Sequence, residues 1–105
     1  MKIKPINNSP ILWLSNFPWK KKNDHKYSRG KLIVIGGQIN MTGATILGSE
    51  AALRVGVGSV KIICSKKTLP IYSSKFPSSL KEVINNLSSL KKLIIKEKNS
   101  VFLIG

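Results

Sequence analysis

Lys31-Leu32-Ile33-Val34-Ile35-Gly36-Gly37, followed after a four-residue loop by Thr42-Gly43-Ala44, is the stretch that decides the fold. Its apolar residues form a continuous run with no polar alternation, the pattern of a strand covered on both faces and therefore of a parallel sheet. The run ends on two glycines. After the loop Gln38-Ile39-Asn40-Met41, Thr42 is placed to cap a helix predicted over Gly43 to Val55, with Ala44, Leu47, Ala51 and Val55 on one stripe. Gly48 and the alanines keep that helix thin enough to lie close on a sheet, and Gly56 is positioned to end it in the left-handed conformation. Ser59 to Cys64 is a second apolar run. With the helix between them, the two runs predict a right-handed βαβ unit and an α/β fold class.

The flanks are weaker. Residues 1–30 read as an irregular arm, broken by Pro5, Pro10 and Pro18, with Trp13, Leu14, Phe17 and Trp19 available to anchor it on something apolar. Residues 31–105 read as an α/β domain. Within it, Leu69 to Phe76, bracketed by Pro70 and Pro77, is expected to be irregular or a brief helical turn. Ser79 to Asn86 and Leu87 to Ile95 suggest one or two helices around Leu80, Val83, Ile84, Leu87, Leu90 and Leu93-Ile94. Ser100 to Gly105 repeats the buried-strand pattern. A chain of 105 residues allows one compact unit, and a layout with helices on both faces of a sheet would be barely complete at that length.

Eighteen Lys and Arg against four Asp and Glu leave a net charge of +14, with the basic residues concentrated before Leu32 and after Val60. Such a charge attracts nucleic acid, anionic surfaces or nucleotide phosphates, so a small basic nucleic-acid- or anion-binding protein is the alternative reading. Most of the bases are lysines, which act as point charges, whereas base-edge readout favours the arginine fork; nucleic acid is therefore the less favoured partner. Cys64 has no second cysteine, which excludes a disulfide framework and a cysteine zinc site, and it is expected to be a buried strand thiol. No apolar run reaches the length of a membrane span, and Met1 to Ser9 lacks the apolar core of a signal peptide. A cytoplasmic protein is expected.

A strand, a glycine turn and a helix start together present free backbone N–H groups and the positive end of a helix dipole, an arrangement that attracts anions. A phosphate-bearing ligand fits that arrangement. The turn is not a Walker A loop, because Ala44-Thr45 follows Gly43 where that loop needs Lys and Ser or Thr, and it is not a Gly-x-Gly-x-x-Gly fingerprint.

The wording around the turn is more specific. His25-Lys26-Tyr27-x-Arg29-Gly30, Gly36-Gly37, Met41-Thr42-Gly43-Ala44 and Ala51-Ala52-Leu53-Arg54-Val55-Gly56-Val57-Gly58 together resemble the NAD(P)H-hydrate dehydratase family, with looser matches at Pro70-Ile71-Tyr72 and Val101 to Gly105. The resemblance implies a ribokinase-like three-layer fold, here incomplete around its parallel βαβ core. It also implies a lyase that uses ATP or ADP, with Mg2+, to remove water from hydrated NADH or NADPH. By the same resemblance Gly36, Gly37, Thr42, Gly43 and Ala44 would line the substrate pocket, with Ala44 the best single contact, and His25 and Lys26 would lie near the ligand. Arg54 reads as a solvated helix end. The family's full Gly-Pro-Gly-Leu-Gly turn, its Thr-Pro-His-x-Gly-Glu stretch and its Gly-Thr-Gly-Asp anion hole have no counterpart in this sequence, so the resemblance assigns no catalytic residue here. The expectation is a truncated fragment inactive on its own, with a companion fragment or a second copy as its partner.

Overall fold

Strand β1 (Lys31–Ile35) lies inside the sheet, and the other strands build outward from it in the computed structural model, which describes residues 2–105. β2 (Ser59–Cys64) runs parallel to it on one side, with Ile33 opposite Lys61 and Ile35 opposite Ile63. β4 (Val101–Ile104) runs parallel on the other side, with Ile33 opposite Phe102. β3 (Leu80–Val83) pairs in parallel with the outer edge of β2, giving the order β3-β2-β1-β4. The predicted βαβ unit and the α/β class are both present.

Strand alternation divides the core. Val34, Val60, Ile62 and Cys64 turn to one face, where Tyr72 and Phe76 pack on them beside Ile46, Ala52 and Leu53 of helix α1 (Thr42–Val55). Tyr72 belongs to α2 (Leu69–Lys75) and Phe76 follows it. Ile33 and Ile63 turn to the opposite face and meet Leu93 of α3 (Leu87–Lys96). Helices therefore cover both faces of a parallel sheet, and each buried Ile or Val contributes about 1.5–3 kcal/mol. This is the layering expected of a partial ribokinase-like domain.

Several local expectations change. Leu69–Lys75 is a regular helix, since Pro70 occupies its first turn, where no N–H is needed. Leu80–Val83 is a strand although its apolar spacing reads as helical; Lys81 and Val83 face α2, while Glu82 faces the α3 side. Thr42 is the first residue of α1 and not its cap. The cap position falls on Met41, which makes no side-chain cap bond, because a 3₁₀ turn over Ile39–Met41 leads directly into the helix. The stripe Ala44, Leu47, Ala51 and Val55 faces outward, with Leu47 and Val55 both more than 60% exposed, and the sheet side of α1 is built from Thr45, Ser49 and Ala52. β4 is an edge strand whose Val101, Leu103 and Ile104 are exposed. The aromatics of the arm pack on one another with tilted rings, Trp13 against Phe17 and Phe17 against Trp19, while both Trp side chains stay exposed.

One polar device sits inside the sheet. Lys61, between buried Val60 and Ile62, places its Nζ 3.0 Å from Glu82 and 3.6 Å from Glu97, and Lys31 Nζ lies 2.9 Å from Glu97. An inward lysine in an apolar strand is tolerated because carboxylates neutralise it there. Among the described residues, no helix is long and apolar enough to cross a membrane.

Candidate functional site at the carboxyl edge of the sheet

The chain leaves β1 to one side, through α1 to β2, and later returns through α3 to place β4 on the other side. The strand order thus reverses between β1 and β4, and in open α/β sheets the crevice beyond the carboxyl ends at such a reversal is where ligands bind. A pocket of about 130 Å3 lies there, lined by Val34, Ile35, Gly37, Met41, Ala44, Thr45, Leu103 and Gly105. It contains no charged side chain. Its polar character comes from the glycine turn and from the amino end of α1, whose first N–H groups have no side-chain cap.

Of the five residues expected at the pocket, Gly37 and Ala44 line it, while Gly36, Thr42 and Gly43 adjoin them in the turn and at the start of α1. Gly36 is held by its N–H donating to the Ile63 carbonyl at 2.9 Å. A Cβ at Gly36 would lie 2.7 Å from the Tyr72 hydroxyl, which is fully buried and has no hydrogen-bond partner. Tyr72 therefore demands glycine at position 36, and it shapes the turn from behind. A tyrosine beside a proline in a polar stretch gives no sequence signal of that role. At Gly43 a Cβ would meet nothing within 4 Å, leaving the helix start open to an approaching group.

His25 and Lys26 lie elsewhere, before β1, at the opposite end of the strand from Gly36. Both are exposed. His25 organises a turn: its N–H donates to Ser28 Oγ at 2.9 Å, and its Nδ1 accepts the Ser28 N–H at 3.4 Å. The Lys26 ammonium sits 5.1 Å from the Tyr27 ring. Arg29 fixes this end of the molecule. Its Nε donates to the Gly56 carbonyl at 2.8 Å and its Nη1 to the Pro18 carbonyl at 2.6 Å, fastening the arm to the end of α1. Gly56, at φ +113°, terminates α1 in the left-handed form, as its position predicts. Gly58 packs directly on the Lys26 and Gly30 carbonyls, leaving no room for a side chain. Much of the motif outside the pocket is thus architecture. Arg54 pairs with Glu50 at 3.0 Å on the exposed helix surface, as a solvated helix end should.

No acid–base couple joins the pocket. Each of the four carboxylates is paired with a base away from it: Asp24 with Arg29, Glu50 with Arg54, Glu82 with Lys61, and Glu97 with Lys31 and Lys61. A hydrogen bond from Lys31 holds the Glu97 carboxyl below the usual carboxylate range, and burial pushes the Cys64 thiol up, keeping it protonated and unreactive. Among the described residues, no group of three His, Cys, Asp or Glu side chains could hold a metal ion.

A parallel sheet with helices on both faces, and a glycine turn beside a neutral pocket at the strand-order reversal, defines the class as an open α/β domain. Comparison with known proteins narrows the class. The family model described as NAD(P)H-hydrate dehydratase matches residues 32–105. A bifunctional NAD(P)H-hydrate repair enzyme of Coxiella burnetii is 35% identical over 77 residues, covering 73% of this chain and 16% of that protein. An ADP-dependent (S)-NAD(P)H-hydrate dehydratase of Staphylococcus aureus is 31% identical over 90 residues, covering 86% of this chain and 32% of that protein. An ATP-dependent (S)-NAD(P)H-hydrate dehydratase of Aspergillus fumigatus is 37% identical over 54 residues, covering 51% of this chain and 15% of that protein. The chain belongs to the NAD(P)H-hydrate dehydratase family, and it spans a third or less of the length of these three relatives.

Proposed function

We propose that this chain supplies the substrate-binding wall of an enzyme that dehydrates hydrated NADH or NADPH. The observation that carries the reading is a coincidence: Gly37 and Ala44, one from each half of the motif, line a pocket at the strand-order reversal, and Gly36, Thr42 and Gly43 adjoin them in the chain. An uncharged ring fits a pocket without charged side chains. The glycine turn lets the ligand approach the backbone, Ala44 keeps the helix wall low, and the amino end of α1 offers partial positive charge toward a pyrophosphate.

The chemistry divides accordingly. Binding and orientation fall to Gly37, Ala44 and their neighbours. Proton transfer needs a carboxylate or imidazole within hydrogen-bond reach of the substrate, and every carboxylate here is engaged away from the pocket. In this reading the acid–base group comes from residues other than these, and the chain alone is inactive. ATP or ADP belongs to the reading through the names of the relatives, and Mg2+ through the resemblance of the motif; the described residues hold no group of three His, Cys, Asp or Glu side chains to bind the metal on their own. A companion polypeptide or a second copy covering the exposed faces of α1 and β4, and a cytoplasmic setting, complete the proposal.

Titration with NADPH, followed by quenching of its fluorescence, tests the binding half. Saturable binding that Ala44→Trp weakens by roughly tenfold or more is the expected result. Binding of equal strength in that variant would place the ligand elsewhere.

A further inference from the structure

A second, larger crevice of about 510 Å3 opens at the same edge of the sheet, on the α3 side, over the ends of β1, β2 and β3. Its floor is apolar, from Ile35, Ile63, Ile84 and Leu90, and its rim carries the amides of Gln38, Asn85 and Asn86. In a chain of net charge +14, no charged side chain lines it. Among the described residues, the side chains of Gln38 and Asn85 have no hydrogen-bond partner. Asn86 commits only its oxygen, which accepts the Ser89 N–H at 2.8 Å to cap α3.

The crevice and the β1/β4 pocket share Ile35 and Gly37, so the glycine turn is the divide between them. At about 130 Å3 the pocket is smaller than the roughly 300–1,000 Å3 of ordinary small-molecule sites. A dinucleotide with one ring in it must continue outside. The crevice adjoins it across a turn that carries no side chain.

We propose that this crevice is a second base subsite, taking an uncharged nitrogen heterocycle of the same dinucleotide while the ligand straddles Gly36-Gly37. The inference rests on the proposed function and extends it. Phosphate is a poor occupant, because an apolar floor without Lys or Arg would strip its hydration and give no counter-charge. A flat base buries both faces against isoleucine and leucine, and its ring nitrogens and exocyclic groups match amides that both donate and accept. Adenine and the nicotinamide ring share that chemistry.

The test follows backbone amide shifts of the full chain during titration with NADPH, and separately with adenosine and nicotinamide riboside. NADPH is expected to move two sets of signals together, Gly37 and Ala44 in the pocket and Ser65, Asn85 and Leu87 in the crevice. One of the two nucleosides alone is expected to move the crevice set, which identifies the ring that sits there. Leu87→Trp, at an exposed position, should abolish the crevice shifts, keep those at Ala44 and weaken NADPH roughly tenfold. Asn85→Asp, which puts a charge on the rim, should act in the same direction should the Trp variant not fold. NADPH shifts confined to Gly37 and Ala44 would overturn the subsite and leave the proposed function standing. Shifts confined to the crevice would support the subsite and overturn the pocket assignment. No shift in either set would overturn both.

Discussion

At the residue scale, the Tyr72 hydroxyl occupies the space that a side chain at Gly36 would need. A methyl at position 36 would sit 2.7 Å from Tyr72 Oη and 3.2 Å from the Ile63 carbonyl oxygen. Gly36→Ala should destabilise the fold by about 1–3 kcal/mol in urea unfolding, the range of overpacking changes. Tyr72→Phe should be neutral or stabilising by itself, because it removes a buried hydroxyl without a partner. The double variant should recover part of the Gly36→Ala loss. Additive effects would show that the two residues do not couple. Glu97 sets the response to acid. Its carboxyl is held low chiefly by the Lys31 hydrogen bond, so the folded state binds that proton less readily than the unfolded chain does. The stability it contributes is present above the ordinary carboxylate range and is lost as pH falls through the depressed value. Glu97→Gln should lower the melting temperature at neutral pH and flatten the acid limb; an unchanged pH profile would remove Glu97 as its source. Gly36, Gly37 and Ala44 stand out in the sequence through the wording of the motif, and at Gly36 the structure supplies a reason, the Tyr72 hydroxyl that a side chain there would meet. The sequence could not report Arg29 as a clamp, since its hydrogen bonds across the fold go to the carbonyls of Pro18 and Gly56, and backbone acceptors leave no mark on residue type.

Elements were legible where one periodicity dominated. β1 and β2 follow from runs that are apolar but for Lys31, Ser59 and Lys61, and α1 from helical spacing and a glycine stop. β3 did not, because Leu80, Val83, Ile84 and Leu87 recur at helical spacing across what is a strand, a turn and the start of α3. The break is Asn86, whose side chain caps α3 by accepting the Ser89 N–H. Asn86→Ala should cost about 1 kcal/mol and Asn86→Asp much less, by the usual ranking of caps; equal losses in urea titrations would deny the cap its role. The outward stripe of α1 has a different cause. Leu47 and Val55 obey helical spacing, yet periodicity gives the existence of an apolar face and not the side of the sheet it meets. Thr45 and Ser49, small enough for close packing, take the inner face instead.

On the scale of the whole molecule, the sheet has apolar residues at both margins: Leu80 at the β3 edge, and Val101, Leu103 and Ile104 at the β4 edge beside Leu47 and Val55. Unpaired parallel edges of this kind recruit other chains. The isolated protein should therefore melt over a broad range and associate as its concentration rises. A sharp two-state transition at a constant monomeric mass would contradict that. The same view separates the motif into two ends of one sheet, with His25, Lys26, Arg29 and Gly58 building the amino-terminal end and Gly36 to Ala44 lining the carboxyl end. Hydrogen exchange in the presence of NADPH distinguishes the two ends most directly. Protection is expected over residues 36–45 and at the end of β4, with residues 25–30 unchanged. Protection confined to residues 25–30, or none at the carboxyl edge at saturating NADPH, would contradict the assignment of the site.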